Sequence, residues 1–391
     1  MEAYVFSKFR MSAGLAGIVL VAACSDPVTS VQDQASPRDG VSNSAVKFWE
    51  SGSSVRWNRT AVSVFRVRGG DFGRINSYTT LAAYRAALAA ENSKGKGPHP
   101  SVAGAIAGAS VVVLKQFFPL DASTLEAEIA AQRNEPKWPG EQNRDFAAGE
   151  TLGRSIGAQV LALMATDNYN VESPGSPPVG PGYWFSAASP IVRMPYHARP
   201  FFLLTTDELV LPPPPAFGSP AYQQALSAVR FLSDHRTPEQ LAISVKWIPF
   251  SATVFDSVAS ELAVKYHRSE LETARMFAYA NLAAYDAIIA CFNNKYRYWF
   301  IRPSQADPMI TTPVGLPNHP SYPSAHSCQS GAWVEVLSDA FPSERKMIEA
   351  MGDEAALSRE FAGLHYRFDN DAGLLLGHAA GKLALQRKGI E

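Results

Sequence analysis

Three short groups of polar residues near the carboxyl end contain the side chains needed to hold a tetrahedral oxyanion and act on it. The groups are Lys295 with Arg302–Pro303, then Pro323–Ser324–Ala325–His326, and then Ser358–Arg359 with His365 and Asp369. A guanidinium binds oxyanion oxygens through a fixed fork of donors, whereas an ammonium acts as a mobile point charge. The lysine and the two arginines can therefore neutralise the oxygens, and the two histidines remain for chemistry. The sequence predicts an enzyme that works on an oxyanion.

The second group adds donors without formal charge. Ser324 offers a hydroxyl, and Ala325 offers a backbone N–H if a helix begins there, because the amino end of a helix favours an anion. Pro323 is typical of the first position of a helix. We therefore predict a helix that opens at Pro323 and carries Ser324 and His326 in its first turn.

The third group pairs an imidazole with a carboxylate. His365 and Asp369 are four residues apart, so on a helix they share one face, and Asp369 can orient the ring of His365. Taken singly, each group has an ordinary explanation: a basic residue that caps a helix, a structural histidine, or a surface ion pair. The prediction depends on the conjunction of all three groups.

The elements that must position these groups are helices almost throughout. Apolar residues recur at intervals of three and four from about residue 46 onwards, and the alternation typical of strands is absent from the sequence. We predict an all-α fold with two helical bundles, an amino-terminal one over 46–169 and a carboxyl-terminal one over 220–391. The connection over 170–219 is rich in Pro and Gly, and its aromatic residues favour a packed cover.

The boundaries of individual helices follow from the same pattern. We predict helices in the amino-terminal bundle near 48–67, 76–92, 101–117, 121–133 and 142–167. In the carboxyl-terminal bundle we predict helices at 220–234, after Thr237, from about Arg268 to Asn294, and near 343–350, 354–367 and 370–386. Thr237, Pro238 and Gln240 have the types expected at N-cap, N1 and N3. Five prolines between positions 295 and 321 indicate an irregular segment there.

Residues 1–24 have the pattern of an export signal. Lys8 and Arg10 precede an apolar run over 13–23 that is too short to span a bilayer comfortably. The run ends in a Val-Ala-Ala-Cys sequence at Cys24, which is similar to a bacterial lipobox, in which the Cys is lipidated and becomes the mature amino terminus. An ordinary signal peptide with an incidental Cys is the alternative. We expect an exported protein, periplasmic or extracellular, that contacts the membrane only through this lipid.

The remaining composition narrows the class of partner. Residues 25–45, rich in Ser, Asp, Pro and Gln, predict a flexible tether. The net charge is -1 without a long basic run, which argues against nucleic-acid binding.

Cys291 and Cys328 either pair in an oxidising compartment or serve as small buried apolar residues, and the sequence leaves both alternatives open.

The spacing of the three groups resembles the signature shared by the vanadium-dependent haloperoxidases and the type 2 phosphatidic acid phosphatases. The matching elements are Lys295, six residues and Arg302–Pro303; then Pro-Ser-Xaa-His; then Ser358–Arg359, five residues, His365, three residues and Asp369. The resemblance covers about residues 280–385. Ala325 departs from the pattern because the family generally has Gly there; alanine keeps the N–H donor but adds a methyl group to the pocket.

The resemblance implies roles for these residues. It makes His365 the axial ligand of a vanadate cofactor and His326 the acid–base residue. Lys295, Arg302, Ser324, Arg359 and the Ala325 N–H would hold the oxygens. The implied reaction is the oxidation of a halide by hydrogen peroxide. His319 occupies a position where bromoperoxidases also have a histidine and would favour bromide or iodide; the alternative is a loop histidine without a role.

Two other functions stay open at this stage. The same residues fit a phosphatase of the superfamily, in which His365 attacks the phosphorus of a phosphoester and His326 protonates the leaving group. The protein could also be a lipoprotein that binds an oxyanion without catalysis. The sequence predicts no oligomeric state.

Overall fold

The structure is a computed structural model, and it describes residues 52–94, 99–137, 141–169, 178–186, 197–249, 251–387 and 389–390. The predicted export signal, Cys24 and the tether over 25–45 lie outside the described residues. All described residues belong to one compact unit, Ser44–Glu391.

The described residues of the amino-terminal part form five α-helices and one pair of very short strands. The elements are α1 Ser53–Arg68, α2 Phe72–Glu91, β1 His99–Pro100, α3 Val102–Phe117, α4 Ala122–Arg133, β2 Arg144–Asp145 and α5 Phe146–Met164. β1 and β2 pair in parallel. Asp71, Ser101 and Asp145 cap α2, α3 and α5 by accepting a backbone N–H at the helix start, as short polar side chains do at N-cap positions.

Eight α-helices are formed by the part of the carboxyl-terminal region that the structure describes. They are α6 Pro220–Asp234, α7 Pro238–Lys246, α8 Ser251–Lys265, α9 Glu270–Tyr298, α10 Pro303–Ala306, α11 Ala325–Ala340, α12 Arg345–Phe361 and α13 Arg367–Arg387. The all-α prediction is therefore confirmed. No single helix among the described residues is long and apolar enough to cross a membrane; α7 and α8 meet that test only as a pair, bent by 80°.

Helix ends differ from the predictions at three places that matter for the site. α12 ends at Phe361 rather than at 367, and α13 begins at Arg367, so His365 lies between the two helices and does not share a helix with Asp369. α9 does not end before Lys295 but continues to Tyr298, and Trp299 closes it in the left-handed conformation, with φ of 49°. α11 begins at Ala325 rather than at Pro323, because Ser324 has extended backbone angles and occupies the N-cap position. Lys295 consequently lies in the last turn of a helix, and Ser324 immediately precedes one.

One hydrophobic cluster extends from α1 to the segment after α13, so the helices on both sides of the connection share a core. Phe202 and Leu203 of the connection are buried in this cluster, and Trp184 packs with Trp299 in a smaller one. The boundaries predicted for two bundles stay a prediction.

Close packing between helices fixes the frame of the site. α11 packs against α9 and α13. A Cβ on Gly377 of α13 would lie 2.2 Å from the carbonyl oxygen of Cys328 on α11, so only glycine permits this approach. Ser324 and Asp369, near the starts of these two helices, are thereby adjacent: the Ser324 N–H donates to the Asp369 carbonyl at 2.9 Å.

Candidate active site

Lys295 is fully buried in the last turn of α9 and hydrogen-bonds to the loop that precedes α11. Its Nζ donates to the carbonyl oxygens of Pro320 and Ser321, each at 2.8 Å, and also to the carbonyl of Pro323. These bonds match the three donors of an ammonium group. Burial lowers the pKa of Lys295 to about 8, so the group is still mostly protonated at neutral pH.

Arg302 links the first group to the third. Its side chain is fully buried; Nε donates to the His319 carbonyl at 2.8 Å and Nη1 donates to the Leu364 carbonyl at 3.0 Å. Nη1 also lies 3.4 Å from Nε2 of His365. Burial lowers the pKa of Arg302 to about 10, which leaves the guanidinium charged.

The ring of His365 is oriented from both sides. Nδ1 lies 3.0 Å from Oδ2 of Asp369, and Nε2 faces Arg302. A guanidinium only donates, so the proton of a neutral ring belongs on Nδ1, where it is donated to Asp369, and Nε2 presents its lone pair. Burial, together with the charges of Arg302 and Lys295, holds the pKa of His365 well below its usual value.

Asp369 is held by two further donors. The Ser321 hydroxyl donates to Oδ2 at 2.5 Å, and the Tyr366 N–H donates to the same oxygen at 3.1 Å. Burial raises the pKa of Asp369 to about 7, while these donors act in the opposite direction. Ser321 also lies 3.5 Å from Nδ1 of His365, so it contacts both members of the pair.

The start of α11 supplies unpaired donors. The Ser324 hydroxyl is fully buried and is one of the described polar groups without a hydrogen-bond partner. Leaving such a group unsatisfied costs about 1–3 kcal/mol, which an oxyanion would relieve. Ala325 is the first residue of the helix, where backbone N–H groups have no partner within the helix.

His326 lies one residue further along α11 and faces α7. Its Nε2 is 2.8 Å from the carbonyl oxygen of Trp247, which can only accept, so Nε2 carries the proton of the neutral ring. Burial and the charge of Arg359 lower the pKa of His326 to about 3. The imidazole is neutral at physiological pH and can accept a proton.

Arg359 approaches from α12. Its Nε donates to the Ser358 hydroxyl at 2.9 Å and its Nη2 donates to the Ser244 carbonyl at 2.7 Å. Burial lowers the pKa of Arg359 to about 10, so this guanidinium is also charged. The hydrogen bonds to Ser358 and Ser244 fix the plane of the Arg359 guanidinium.

A cavity of about 350 Å³ lies between the second and third groups. His319, His326, Arg359 and His365 contribute polar side chains to its lining, and Ala325 also lines it. Lys295 and Arg302 do not line the cavity. They hydrogen-bond to carbonyls of the 319–323 segment, and Arg302 also contacts His365, which does line it. The predicted residues of all three groups therefore converge at one place.

His319 lies at the edge of this cavity. Its Nδ1 is 3.0 Å from Nη2 of Arg302, and its ring meets Phe292 edge-on with centroids 5.1 Å apart. Burial and the charges of Lys295 and Arg302 hold the pKa of His319 well below its usual value, so the ring is neutral.

The two cysteines are free and buried. Cys291 Sγ lies 3.8 Å from the Pro323 carbonyl. The sequence left open whether Cys291 and Cys328 form a disulfide or are buried thiols; in the structure they are buried thiols.

Sequence reasoning missed two contributors. Ser321 donates to Asp369, and the carbonyl of Trp247 orients His326. Ser321 lies within the His-Pro-Ser-Tyr-Pro-Ser run, but its residue type gives no sign of a role. The Trp247 carbonyl is a backbone group, so no residue type could have identified it.

The donor set suits an oxyanion. Among the described residues no cluster of three or more His, Cys, Asp or Glu could hold a metal cation. The site instead offers buried cations, an unpaired hydroxyl and one imidazole lone pair. Vanadate or phosphate fits such a set, because the cations balance the charge and one histidine can bind the central atom.

Comparison with known proteins gives one related sequence and several similar structures. No family model matches the sequence. A stretch of 154 residues, 32% of this chain, is 29% identical to a vanadium-dependent bromoperoxidase of Ascophyllum nodosum. The match spans 26% of that enzyme, about a quarter of its length.

Similar solved structures extend over most of the chain. A bacterial vanadium-dependent iodoperoxidase has a TM-score of 0.70 at 22% identity, covering 87% of this chain and 96% of that one. The apo-type structure of a bacterial vanadium-dependent chloroperoxidase has a TM-score of 0.66 at 15% identity, covering 80% and 92%. The described helices therefore have the fold of these proteins.

Proposed function

We propose that this chain is a vanadate-dependent haloperoxidase, of the superfamily that also contains the type 2 phosphatidic acid phosphatases; the partial similarity to a bromoperoxidase and the fold shared with bacterial haloperoxidases support the proposal. The observation that carries the proposal is the position of His365, whose Nε2 lone pair lies among buried cations while Asp369 holds Nδ1. Bound vanadate would supply the Lewis acid that activates hydrogen peroxide toward halide.

The chain's own residues hold and orient the oxyanion. Nε2 of His365 would be the single protein ligand, and Arg302, Arg359 and the Ser324 hydroxyl would bind its oxygens. Lys295 supplies positive charge from behind the 320–323 segment. Because backbone carbonyls already hold Lys295, Arg302 and Arg359, little reorganisation of these cations accompanies binding.

His326 handles the proton in this proposal. Its ring is neutral, lines the cavity and is fixed by the Trp247 carbonyl. A neutral imidazole accepts a proton as peroxide binds and returns it as water leaves. Burial and the nearby charge of Arg359 keep the pKa of the resting His326 ring low, so the ring is neutral.

The proposed halide is bromide or iodide, and His319 supports this choice. The neutral ring lies at the cavity wall beside Phe292. We expect His319→Ala to reduce the ratio of bromide to chloride oxidation at fixed peroxide, measured as steady-state rates. An unchanged ratio would show that His319 has no part in halide choice.

The test uses the full chain with vanadate, peroxide and bromide. We expect bromination by the wild type, loss of at least about 100-fold in His365→Ala, and near wild-type rates in His378→Ala. His378 is the matched control because it lies on α13 and pairs with Glu335, away from the cavity. Equal rates in the two variants would contradict the proposal.

Assays of the same wild-type and variant proteins distinguish the phosphatase and the non-catalytic binding protein from the haloperoxidase. Release of phosphate from a chromogenic phosphoester, without bromination, would identify a phosphatase that acts through His365. Tight binding of inorganic phosphate or vanadate with neither activity would identify a binding protein.

The proposal includes export and lipid attachment at Cys24, supported by the sequence around that residue. We expect a lipid-sized mass increase on the mature amino terminus of the wild type and its loss in Cys24→Ser. Cleavage elsewhere would indicate an ordinary signal peptide.

A further inference from the structure

Two thiols that the proposed reaction does not use lie next to each other between α9 and α11. Cys291 of α9 and Cys328 of α11 are both fully buried, and their side chains hydrogen-bond to each other. Both are free thiols in the structure. Two reduced thiols in contact are a place where an oxidant can form a disulfide.

Hydrogen bonds place this pair beside the oxyanion site. Sγ of Cys291 donates to the carbonyl oxygen of Pro323 at 3.8 Å, and Nζ of Lys295 donates to the same oxygen. The backbone N–H of Cys328 donates to the Ser324 carbonyl at 3.0 Å. Each cysteine is therefore one helical turn from a residue of the site: Cys291 precedes Lys295 on α9, and Cys328 follows Ser324 at the start of α11.

The surroundings favour Cys291 as the sulfur that reacts first, because the thiolate and not the thiol is the nucleophile. Burial raises the pKa of Cys291, but the hydrogen bond from the Cys328 thiol and the charge of Lys295 outweigh burial, so the pKa lies below its usual value. Burial and the neighbouring Cys291 hold the pKa of Cys328 well above its usual value. Cys328 therefore keeps its proton until its partner has reacted.

We propose that Cys291 and Cys328 form a redox-active pair, which hydrogen peroxide converts to a disulfide between α9 and α11. The Cys291 thiolate attacks one peroxide oxygen, the O–O bond breaks, and hydroxide leaves and takes up a proton, so that a sulfenic acid and one water are formed. The sulfur of Cys328 then attacks the sulfenic sulfur, and the second water leaves. The overall step is 2 RSH + H₂O₂ → RSSR + 2 H₂O: the two thiols lose two electrons and peroxide gains them.

The bridge joins the elements that hold the oxyanion site. It closes the chain between residues 291 and 328, which contains Arg302, His319 and the 320–323 segment. A disulfide that closes a long loop stabilises the folded state by restricting the unfolded chain. It also protects Cys291 from further oxidation to the sulfinic acid, which is irreversible. A protein that meets peroxide would in this way keep its packing around Lys295.

The first experiment maps the thiols of the full chain after treatment with hydrogen peroxide, with vanadate and halide omitted. All proteins carry Cys24→Ser, which removes the third cysteine of the sequence. Alkylation under denaturing conditions, followed by peptide mass spectrometry, identifies free thiols and cross-links. We expect a cross-linked peptide that contains Cys291 and Cys328 and is lost on addition of dithiothreitol. Two thiols that stay free, or two that oxidise without a cross-link, would overturn the proposal.

Single substitutions assign the order of the two steps. In Cys328→Ala we expect Cys291 to stop at the sulfenic acid, which dimedone traps. In Cys291→Ala we expect Cys328 to oxidise at least about tenfold more slowly, because it stays protonated. Thermal unfolding midpoints check that both variants are folded. Faster oxidation of Cys328 than of Cys291 would contradict the roles assigned to them.

Unfolding temperatures measure what the bridge does. We expect the oxidised protein to unfold about 5 °C above the protein reduced by dithiothreitol, and peroxide to leave the midpoint of Cys328→Ala unchanged. Equal midpoints for the oxidised and reduced forms would refute the stabilising role of the bridge. Bromination takes no part in these measurements, so two inert thiols in an active haloperoxidase would refute only the redox pair. A disulfide in a protein that does not brominate would support the redox pair and refute only the haloperoxidase.

Discussion

Ser321 connects the first and third groups through hydrogen bonds. Its carbonyl accepts from Lys295, its N–H donates to the Phe300 carbonyl, and its hydroxyl donates to Asp369. The residue is fully buried. Its hydroxyl therefore helps to keep Asp369 ionised and facing His365, and so acts on the imidazole through the carboxylate.

We expect Ser321→Ala to disturb His365 without unfolding the protein. Losing the hydroxyl donor raises the pKa of Asp369, because the carboxylate loses a hydrogen bond, and weakens the hold on the Nδ1 proton. The expected result is about tenfold weaker vanadate binding and a larger share of the Nε2–H tautomer. Titration calorimetry and ¹⁵N NMR of the histidine ring measure the two effects.

Ser327→Ala is the control for this substitution. Ser327 is also fully buried, and its hydroxyl donates to Asn370 rather than to Asp369. Comparable losses of stability with unchanged vanadate affinity in the control would support the positioning role. Equal loss of affinity in both variants would reduce Ser321 to a structural residue.

For individual residues, the sequence predicted the charged and titratable members of the site but not the groups that orient them. Lys295, Arg302, His326, Arg359 and His365 could be recognised by type and spacing. The orienting groups are backbone carbonyls and a serine hydroxyl, and their role depends on a fold that brings distant segments together. Spacing could not show, for example, that Lys295 donates to three carbonyls.

The packing of α11 on α13 sets the distance between the second and third groups. Glycines at the contact allow the two backbones to approach, and Gly377 has the least space of those on α13, with the Cys328 carbonyl 2.2 Å from the position of a Cβ. Any side chain there must push the helices apart. His326 and His365 then move relative to each other.

We expect Gly377→Ala to destabilise the protein by about 3 kcal/mol, since overpacking a tight core forces backbone shifts. Urea unfolding measures the change. Leu375→Ala on the same helix is exposed and should change stability by no more than about 0.5 kcal/mol. A folded Gly377→Ala protein with wild-type stability and vanadate affinity would contradict the role of this contact.

Helix prediction succeeded where the chain carries explicit start signals. The capping box at Thr237 and Gln240 is present in the structure. The end of α9 was missed because Trp299, a bulky residue in the left-handed region, stands where glycine is usual. The helices predicted at 343–350 and 354–367 are replaced by a single helix, α12, because Gly352 continues the helix and packs on Val334. α12 ends at Phe361, so the prediction that the helix reaches 367 was wrong.

Across the whole molecule, buried carboxyl groups join segments that are far apart in sequence. Asp256 on α8 accepts from Asn76 at 2.5 Å and from Asn281 at 3.3 Å. Asp286 on α9 accepts backbone N–H groups of Phe201, Phe202 and Leu203 in the connection. Burial raises the pKa of Asp256 to about 8 and that of Asp286 to about 7.

These shifts predict that stability falls as the pH rises. A carboxyl group with a raised pKa in the folded state retains its proton where the unfolded chain, with a pKa of about 3.9, has lost it. The cost begins near pH 4 and increases up to the pKa of the folded state. For Asp256 it amounts to about 1.4 kcal/mol per pH unit, or about 4 kcal/mol between pH 5 and 8.

The Asp256→Asn variant isolates this contribution. We expect its free energy of unfolding to fall less than that of the wild type between pH 5 and 8, by about 4 kcal/mol, because asparagine does not ionise. Urea unfolding at several pH values gives both curves. Parallel curves for the two proteins would show that Asp256 is already ionised at pH 5.

The three carbonyl bonds of Lys295 also bear on how the protein would be supplied with its cofactor. Carbonyl dipoles that surround an ammonium compensate much of its charge before any anion binds, so the electrostatic attraction between Lys295 and the anion is weaker. We expect bound vanadate to exchange with vanadate in solution on the timescale of experiments, so that occupancy depends on the concentration of the dissolved anion. The protein would then be active in proportion to the trace-element content of its surroundings, and dialysis followed by graded replenishment would trace that dependence.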